Sequence, residues 1–460
     1  MKKRNILLVF LLVFGLFLVA CGSQDAEEAT TDEAPASEEA TTSEDSAAEE
    51  AAAEEPAELE PVTITYLTDD GPDTALQTEA LVNAFMAKYP HITIVVETRP
   101  GGSDGDNIVK TRLATGEMTD VFSYNSGSLF QALHPTETLV DLTNEPFMDN
   151  IADSFFPTVS ADGKIYGVPT GTATGGGILY NMKVYEELGL SVPQTWAEFE
   201  ANNEVIQEAG ITPVIATFGD SWTSQLFVLA DYYNVETAVP GFADAYTNNE
   251  SKYATTPAAL NGFKYLQEGF EKDWYQQDYA TTTFEQGLGL LAEGQGAHYP
   301  MLTFAVGVLQ AMFPDNVNDI GFFGVPGENA ETSGATIWIA PGTYIPQTSE
   351  HVEEAKLFLG FIASAEGADV ISSAVPPTGP YLIKGVTLPD TVLPSVKDTA
   401  AYIDAGKSYP ALEFVSPIKG PALEQICVAV GSGQMTAEEG AAAYDQDVEK
   451  QAQQLGLPGW

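Results

Sequence analysis

Polar and aromatic side chains follow two of the predicted strands at the points where those strands end. Asp69 and Asp70 come after the run VTITYL, whose alternating β-branched and aromatic residues are typical of a strand. Tyr124 and Asn125 come after the apolar run VFS. Ligands of parallel α/β sheets bind outside the carboxyl ends of the strands, so both loops are candidate binding loops. A simple turn or a helix N-cap is the alternative role for the two aspartates.

A third loop places a carboxylate close to an indole ring. The strand-like run ITPVIA is followed by TFGDSW, which contains Asp220 and Trp222. A tryptophan on a strand-to-helix loop can stack on the apolar face of a sugar ring, while Asp220 accepts hydrogen bonds from hydroxyl groups. Packing of Trp222 in the core is the alternative.

Trp338 lies within the run TIWIA, which is predicted as a strand. Because side chains alternate along a strand, Trp338 points away from its neighbours Ile337 and Ile339. One face of this strand belongs to the core, so Trp338 is predicted to face the binding site.

The elements that position the first two loops alternate between strands and helices. Strands are predicted at 62–67, 91–96 and 121–123, and helices at 74–88 and 107–115. This alternation predicts βαβ units, an α/β fold and a largely parallel sheet.

The stretch 162–199 has the densest set of local signals in the chain. A small-residue run at 170–177 contains four glycines, which allow a ligand or another strand to approach the backbone closely. Asn181 is predicted to cap a helix that Gly189 ends. Thr195 is predicted to cap the next helix, with Glu198 at its third position as in a capping box.

This stretch, which reads DGKIYGVPTGTATGGGILYNMKVYEELGLSVPQTWAEF, resembles the middle of family 1 extracellular solute-binding proteins, the sugar-type receptors of bacterial ABC importers. The resemblance implies a two-lobed type II periplasmic-binding-protein fold in which the chain crosses between the lobes here, at a hinge beside the ligand cleft. It further implies that 61–168 and 301–341 form lobe 1, and that 169–300 and 342–460 form lobe 2.

Three further runs are similar to the family. KTRLATGEMTDVFSYNSG implies ligand contact by the loop of Tyr124 and Asn125, and AGITPVIATFGDSW resembles the motif that delivers Trp222 to the cleft. GQGAHYP resembles the family's return strand, with His298 where Met is commoner. Tyr299 is the preferred ligand contact in that strand, and whether His298 and Trp274 line the cleft stays open.

The N-terminus resembles a lipoprotein export signal. Three basic residues precede an apolar run, which ends in LVACG at residues 18–22. This pattern predicts a signal peptide at 1–20 and lipidation of Cys21, which would anchor the protein to the outer side of the cell membrane. Residues 21–60 consist mainly of Ala, Glu, Asp, Ser and Thr, and are predicted to be a disordered acidic tether.

Composition excludes some partners. The formal net charge is −48, so nucleic acid and anionic lipid, which need basic patches, are not expected to bind. Cys427 is the only other cysteine, so once Cys21 is lipidated no intramolecular disulfide is possible.

The chain has no recognisable catalytic or metal-binding run. No P-loop, dinucleotide fingerprint, HExxH, CxxC or nucleophile elbow stands out, and its four histidines are scattered. We therefore expect no enzyme activity, no cofactor and no metal. The expected partners of a monomeric receptor are a small carbohydrate and the permease subunits of an ABC transporter. A secreted glycoside hydrolase with two carboxylates, or a receptor for a peptide or polyamine, is the alternative.

Overall fold

The computed structural model describes residues 60–460. Its strands, all within that part of the chain, are β1 Val62–Asp69, β2 Ile92–Arg99, β3 Val121–Tyr124, β4 Ser160–Ala161, β5 Lys164–Ile165, β6 Gly167–Pro169, β7 Thr174–Asn181, β8 Thr212–Val214, β9 Gly296–Leu302, β10 Ile320–Phe323, β11 Ala335–Trp338, β12 Gly342–Tyr344 and β13 Ser408–Pro410.

The same residues form α-helices of 4 to 18 residues. They are α1 Pro72–Lys88, α2 Gly102–Thr115, α3 Ser128–Gln131, α4 Pro135–Thr138, α5 Met182–Leu188, α6 Trp196–Glu208, α7 Leu226–Ala230, α8 Tyr232–Ala238, α9 Phe242–Thr247, α10 Pro257–Glu271, α11 Phe284–Ala292, α12 Ala305–Met312, α13 Val352–Ile362, α14 Ala365–Ala374, α15 Pro394–Asp404, α16 Leu412–Val415, α17 Leu423–Gly431 and α18 Ala437–Gln454. Short 3-10 helices are Pro146–Asn150, Phe156–Val159, Ser221–Gln225, Val317–Asp319 and Ala330–Thr332.

The first sheet has the strand order β2-β1-β3-β12-β6. Strands β2 and β3 run parallel to β1, as the alternation of strands and helices predicted, whereas β12 runs antiparallel to β3 and β6. Helices α1 and α13 pack on this sheet, and α14 packs on both helices. The Phe85 ring of α1 lies 5.0 Å from Phe358 and 5.8 Å from Phe361. This sheet and its helices form lobe 1.

The second sheet is built around β7, the strand that contains the glycine run. Strand β9 pairs with one edge of β7, and β10 and β11 share the other edge, all three in antiparallel register. The predicted parallel arrangement therefore holds only at the margins of this sheet, in the pairs β8–β9 and β11–β13. Every residue of β7 is buried, which makes it the centre of lobe 2.

The chain crosses between the lobes three times within the described residues. The first two crossings are at 170–173, between β6 and β7, and at 339–341, between β11 and β12. The third lies within 384–391, because Ile383 packs in the core of lobe 1 and Val392 in that of lobe 2. The predicted two-lobed α/β fold with hinge crossovers is confirmed.

The predicted assignment of the later segments needs correction. Strands β10 and β11 pair with β7, so most of 301–341 lies in lobe 2 rather than lobe 1. Strand β12 and helices α13 and α14 belong to lobe 1 rather than lobe 2. Strand patterns alone show which segments are extended, but not which sheet they join.

The predicted helix ends that follow β7 are confirmed. The Asn181 side chain accepts a hydrogen bond from the Val184 amide at 3.1 Å, and Gly189 ends α5 in the left-handed conformation with φ 66°. Thr195 and Glu198 form the reciprocal capping box of α6. These caps hold the two helices that follow the first crossing.

Residues 1–59 lie outside the described part of the chain, and with them the predicted signal peptide, Cys21 and all of the predicted tether except Glu60. No single helix in 60–460 is long and apolar enough to cross a membrane. The bent pair α13 and α14 meets that test only by length and composition.

Candidate functional site

The edges of the two sheets face each other across the crossings. In lobe 1, Tyr124 at the end of β3 is in register with Gly342, and Gly342 with Pro169 at the end of β6. In lobe 2, Leu302 and Trp338 end β9 and β11 beside the first residues of β7. The carboxyl ends of β1, β3, β9 and β11 therefore all lie at the hinge, where a ligand between the lobes would meet them.

The crossing segments are tied to one another by hydrogen bonds. The Thr170 amide donates to the Pro341 carbonyl at 2.9 Å, which joins the first two crossings. The Ala173 amide donates to the Pro380 carbonyl at 2.9 Å, and Thr172 bonds Thr378 through their hydroxyl groups at 3.1 Å. The loop at 375–383 thus runs along the first crossing, so the hinge is a small hydrogen-bonded unit.

Trp338 is the last residue of β11 and lies next to the hinge. Its indole lies directly on the glycine run, where a Cβ at Gly176 would approach the ring to 2.0 Å. The indole Nε1–H donates to Glu413 Oε1 at 2.6 Å. Trp338 is half-buried. The prediction that Trp338 faces the site stays a prediction, but its position at the strand end fits it.

Glu413 connects Trp338 to a positive charge. It lies on the short helix α16, is 9% exposed, and accepts a hydrogen bond from Lys419 Nζ at 3.1 Å through its other oxygen. We call Trp338, Glu413 and Lys419 the Trp338 cluster. A carboxylate bound on both oxygens holds the indole in one orientation, because rotation of either group would leave a buried donor unpaired.

Helix α16 also touches lobe 1. Gly127, which has φ 73°, lies so close to α16 that a Cβ there would be 2.3 Å from the Glu413 carbonyl oxygen. A side chain at this position would be strained twice, by its backbone angle and by this contact. The Trp338 cluster is therefore set against the loop that follows Tyr124 and Asn125.

Tyr124 and Asn125 occupy different environments. The Tyr124 ring is 1% exposed, with the Arg99 guanidinium 5.7 Å from its centroid. Burial raises the pKa of Tyr124, and the nearby Asp106 carboxylate raises it further. Asn125 is exposed, and its backbone carbonyl accepts a hydrogen bond from Tyr344 Oη at 3.2 Å. Only Asn125 presents its side chain at the surface of the loop.

Asp69 and Asp70 lie at the carboxyl end of β1. Asp69 Oδ1 accepts a hydrogen bond from the Gly71 amide at 3.1 Å, which forms the turn that starts α1. Asp70 is exposed, and its amide donates to the Arg99 carbonyl at 2.9 Å. The turn role is thus observed for Asp69, and ligand contact stays a prediction for both.

Lobe 2 contributes a second aromatic group, which we call the Trp222 cluster. The half-buried Trp222 ring lies 5.3 Å from Phe284 and 6.1 Å from Phe304, measured between centroids. Asp220 Oδ2 accepts a hydrogen bond from the Phe284 amide at 2.6 Å, which fixes the start of α11 under the indole. Next to it, Ser221 Oγ donates to Glu424 Oε2 at 2.8 Å.

The two clusters lie on either side of the first residues of β7, which β9 and β11 flank. Leu302 and Trp338 both pack on Gly176, and Phe304 of the Trp222 cluster follows Leu302 by two residues. Thr303, between them, donates a hydrogen bond to the Thr378 carbonyl of the hinge loop at 3.0 Å. Both indoles therefore flank the same hinge.

Tyr299 is a core residue, and its prediction as a ligand contact is corrected. It is 1% exposed, and its hydroxyl bonds Thr217 Oγ1 at 2.7 Å. The ring fits against Gly287 of α11, where a Cβ would lie 2.9 Å from the ring carbon Cζ. Strand β9 lies between β7 and β8, so this mid-strand side chain is covered by a helix instead of facing the hinge.

His298 and Trp274, for which the sequence did not decide whether they line the cleft, are also buried. His298 is fully buried, its Nε2 bonds Tyr185 Oη at 2.6 Å, and burial lowers the pKa of His298 to about 3. Trp274 is 2% exposed and packs with its ring centroid 6.2 Å from that of Trp196. Neither lines the cleft.

Sequence reasoning missed Glu413, Lys419, Glu424 and Phe304. The first three lie in 342–460, which was assigned only to lobe 2 as a whole, and no local pattern there marks a charged residue as buried. Phe304 lies two residues after the end of β9, and that position was a signal that could have identified it. Within residues 60–460 no group of three or more His, Cys, Asp or Glu side chains is placed to hold a metal ion.

Comparison with known proteins decides the family. The family described as bacterial extracellular solute-binding protein matches residues 70–369, which is more than half of the chain. The chain belongs to this family. A multiple sugar-binding protein of Streptococcus mutans is 25% identical to this solute-binding protein over 322 residues, 66% of this chain and 72% of that protein. The melibiose/raffinose/stachyose-binding protein MelE of Bacillus subtilis is 24% identical over 323 residues, 67% of this chain and 71% of that protein.

Solved structures share the fold of this solute-binding protein. A chitin oligosaccharide binding protein superposes with a TM-score of 0.72 and 22% identity, covering 85% of this chain and 99% of the other. RafE in complex with raffinose superposes with a TM-score of 0.71 and 21% identity, also covering 85% and 99%.

Proposed function

We propose that this solute-binding protein captures a sugar or oligosaccharide between its lobes and delivers it to an ABC importer. The observation that carries the proposal is the pair of half-buried indoles, Trp222 and Trp338, that flank one hinge with carboxylates beside them. Indole faces bind the apolar faces of sugar rings, and carboxylates accept hydrogen bonds from sugar hydroxyls. The names of two related proteins, a multiple sugar-binding protein and a melibiose/raffinose/stachyose-binding protein, support the same ligand class.

Isothermal titration calorimetry with melibiose, raffinose, stachyose and chitin oligosaccharides tests this proposal. We expect saturable heat with at least one of them, and loss of affinity in Trp222→Ala and Trp338→Ala. Trp274→Phe, a change of a buried indole away from the hinge, is the matched control and should bind as the wild type does. Heat with a peptide or polyamine and with no sugar would assign a different ligand class.

The same samples distinguish a receptor from a glycoside hydrolase. A receptor returns its ligand unchanged, whereas a hydrolase with two carboxylates produces shorter sugars. Chromatography of each oligosaccharide after prolonged incubation should show only the starting material. The appearance of cleavage products would contradict the receptor proposal.

The proposed anchor is a lipid on Cys21, which would hold the protein, as a monomer, on the outer side of the membrane beside the permease. The LVACG pattern supports this proposal. In cells fed an alkyne fatty acid, the wild type should carry the label and stay with the membrane fraction. Cys21→Ser should lose both, and membrane retention without label would point to another anchor.

A further inference from the structure

Asp73 makes a contact between the lobes and belongs to neither the Trp338 cluster nor the Trp222 cluster. It lies in the first turn of α1, in lobe 1, and packs on Gly307 of α12, in lobe 2. A Cβ at Gly307 would be 2.3 Å from Asp73 Oδ2 and 3.5 Å from Thr378 Cγ2. The carboxylate therefore lies directly on the backbone of the opposite lobe, beside the hinge loop, where a Cβ at Gly307 would displace it.

The contact surface gives this carboxylate no counter-charge. Neither α12 nor the hinge loop at 375–383 contains a charged residue. Asp73 forms no ion pair with any residue in 60–460. The other elements packed on α1 carry charges of both signs, and so does α1 itself: Asp69 on β1, Glu97 and Arg99 on β2, Glu353, Glu354 and Lys356 on α13, Glu366 and Asp369 on α14, and Glu79 and Lys88 on α1.

None of these charges offsets the cost of burying the carboxylate. Asp73 is half-buried, and burial raises its pKa from the ordinary 3.8 to about 6. An ionised carboxylate loses hydration when α12 covers it, whereas a protonated carboxyl loses much less. Asp73 contacts uncharged backbone of the other lobe across the hinge. The strength of this contact therefore depends on whether the Asp73 carboxyl group is protonated.

We propose that Asp73 and Gly307 form a proton-dependent latch that favours approach of the two lobes in mildly acidic medium. The proposal concerns regulation of the same cleft and rests on the hinged receptor function proposed above. In the separated lobes Asp73 is free to ionise, and in the contact it takes up a proton.

The direction of the effect follows from linkage. The contact raises the pKa of Asp73, so the contact is weakest above about pH 6 and strengthens as pH falls from there toward 3.8. If all of the shift arises from the contact, the equilibrium constant for lobe approach changes on the order of 100-fold across this range. Any part of the pKa shift that comes from burial of Asp73 within lobe 1 makes the change in this equilibrium constant smaller.

Distance measurement between spin labels tests the latch without any ligand, so its outcome does not depend on which sugar binds. Labels at Thr93→Cys in lobe 1 and Glu204→Cys in lobe 2 occupy exposed positions, in a Cys21→Ser background, and the remaining Cys427 is buried. Double electron–electron resonance then reports the populations of short and long distances between pH 8 and pH 4.5.

In the wild type we expect the short-distance population to grow as pH falls through about 6. Asp73→Asn, a neutral isostere, should keep the short distance at every pH, and Gly307→Ala should lower it at every pH. Glu79→Gln, which changes an exposed carboxylate of the same helix, is the matched control and should respond like the wild type. Wild-type populations that do not change with pH, or an unchanged response in Asp73→Asn, would overturn the proposal.

Discussion

Glu413 offers the most informative single substitution in the site. Its carboxylate binds the Trp338 indole at 2.6 Å and Lys419 at 3.1 Å, with side-chain exposures of 10% for Glu413 and 18% for Lys419. Glu413→Leu removes both acceptors, so it leaves a partly buried N–H donor and a mostly buried ammonium group unpaired.

The expected loss in the free energy of unfolding follows from those two unpaired groups. An unpaired buried donor costs about 1–3 kcal/mol, and breaking a buried ion pair by removing one partner costs about 3–5 kcal/mol. Lys419 retains some hydration, so we expect Glu413→Leu to lower the free energy of unfolding by about 3 kcal/mol. Glu413→Gln keeps an acceptor for the indole and loses only the ionic part, so about 1 kcal/mol is expected.

Urea unfolding at pH 7, followed by circular dichroism, measures these differences. The double variant Glu413→Leu with Lys419→Met should recover part of the loss, because no unpaired charge remains. Glu117→Gln, an exposed change of the same chemistry, should stay within about 0.5 kcal/mol of the wild type. A Glu413→Leu variant within 1 kcal/mol of the wild type, or no coupling in the double variant, would refute the view that Glu413 holds the cluster together.

Three further predictions concern the cleft, the core and the lobe boundary. Trp222→Ala should weaken binding of the sugar found by calorimetry about 10- to 100-fold. Tyr299→Phe should leave the affinity for that sugar unchanged. It should lower the free energy of unfolding by about 1 kcal/mol, because it loses one buried hydroxyl bond. Burial lowers the pKa of His298 from 6.5 to about 3, so the wild type should lose stability as pH falls below 6.5, where only the unfolded chain takes up the proton. His298→Met should remove that part of the acid sensitivity in urea titrations at pH 7 and pH 5, and an equal loss in both proteins would contradict it. Gly127→Ala should lower the free energy of unfolding by at least about 2 kcal/mol, because it places a side chain at φ 73° and against the Glu413 carbonyl. A thermal melt unchanged from the wild type would argue against that contact.

Local signals in the sequence determined the helix ends that follow β7. The Asn181 cap, the glycine end of α5 and the Thr195 capping box were all predictable, because each depends on backbone and side-chain groups within four residues of one another. The resemblance carried by the same stretch led to the right family and to the two-lobed fold.

The tertiary structure alone decided which lobe each later strand joins and which aromatic side chains reach the hinge. Alternation along β9 and β11 shows which side chains share a face, but pairing with β7 and the covering helices decide that Tyr299 is sealed while Trp338 stays half-open. The bond between Trp338 and Glu413 joins residues 75 positions apart, and the contact of Asp73 with Gly307 joins opposite lobes. Contacts at such separations depend on how the whole chain packs, and no local pattern of residue types encodes them.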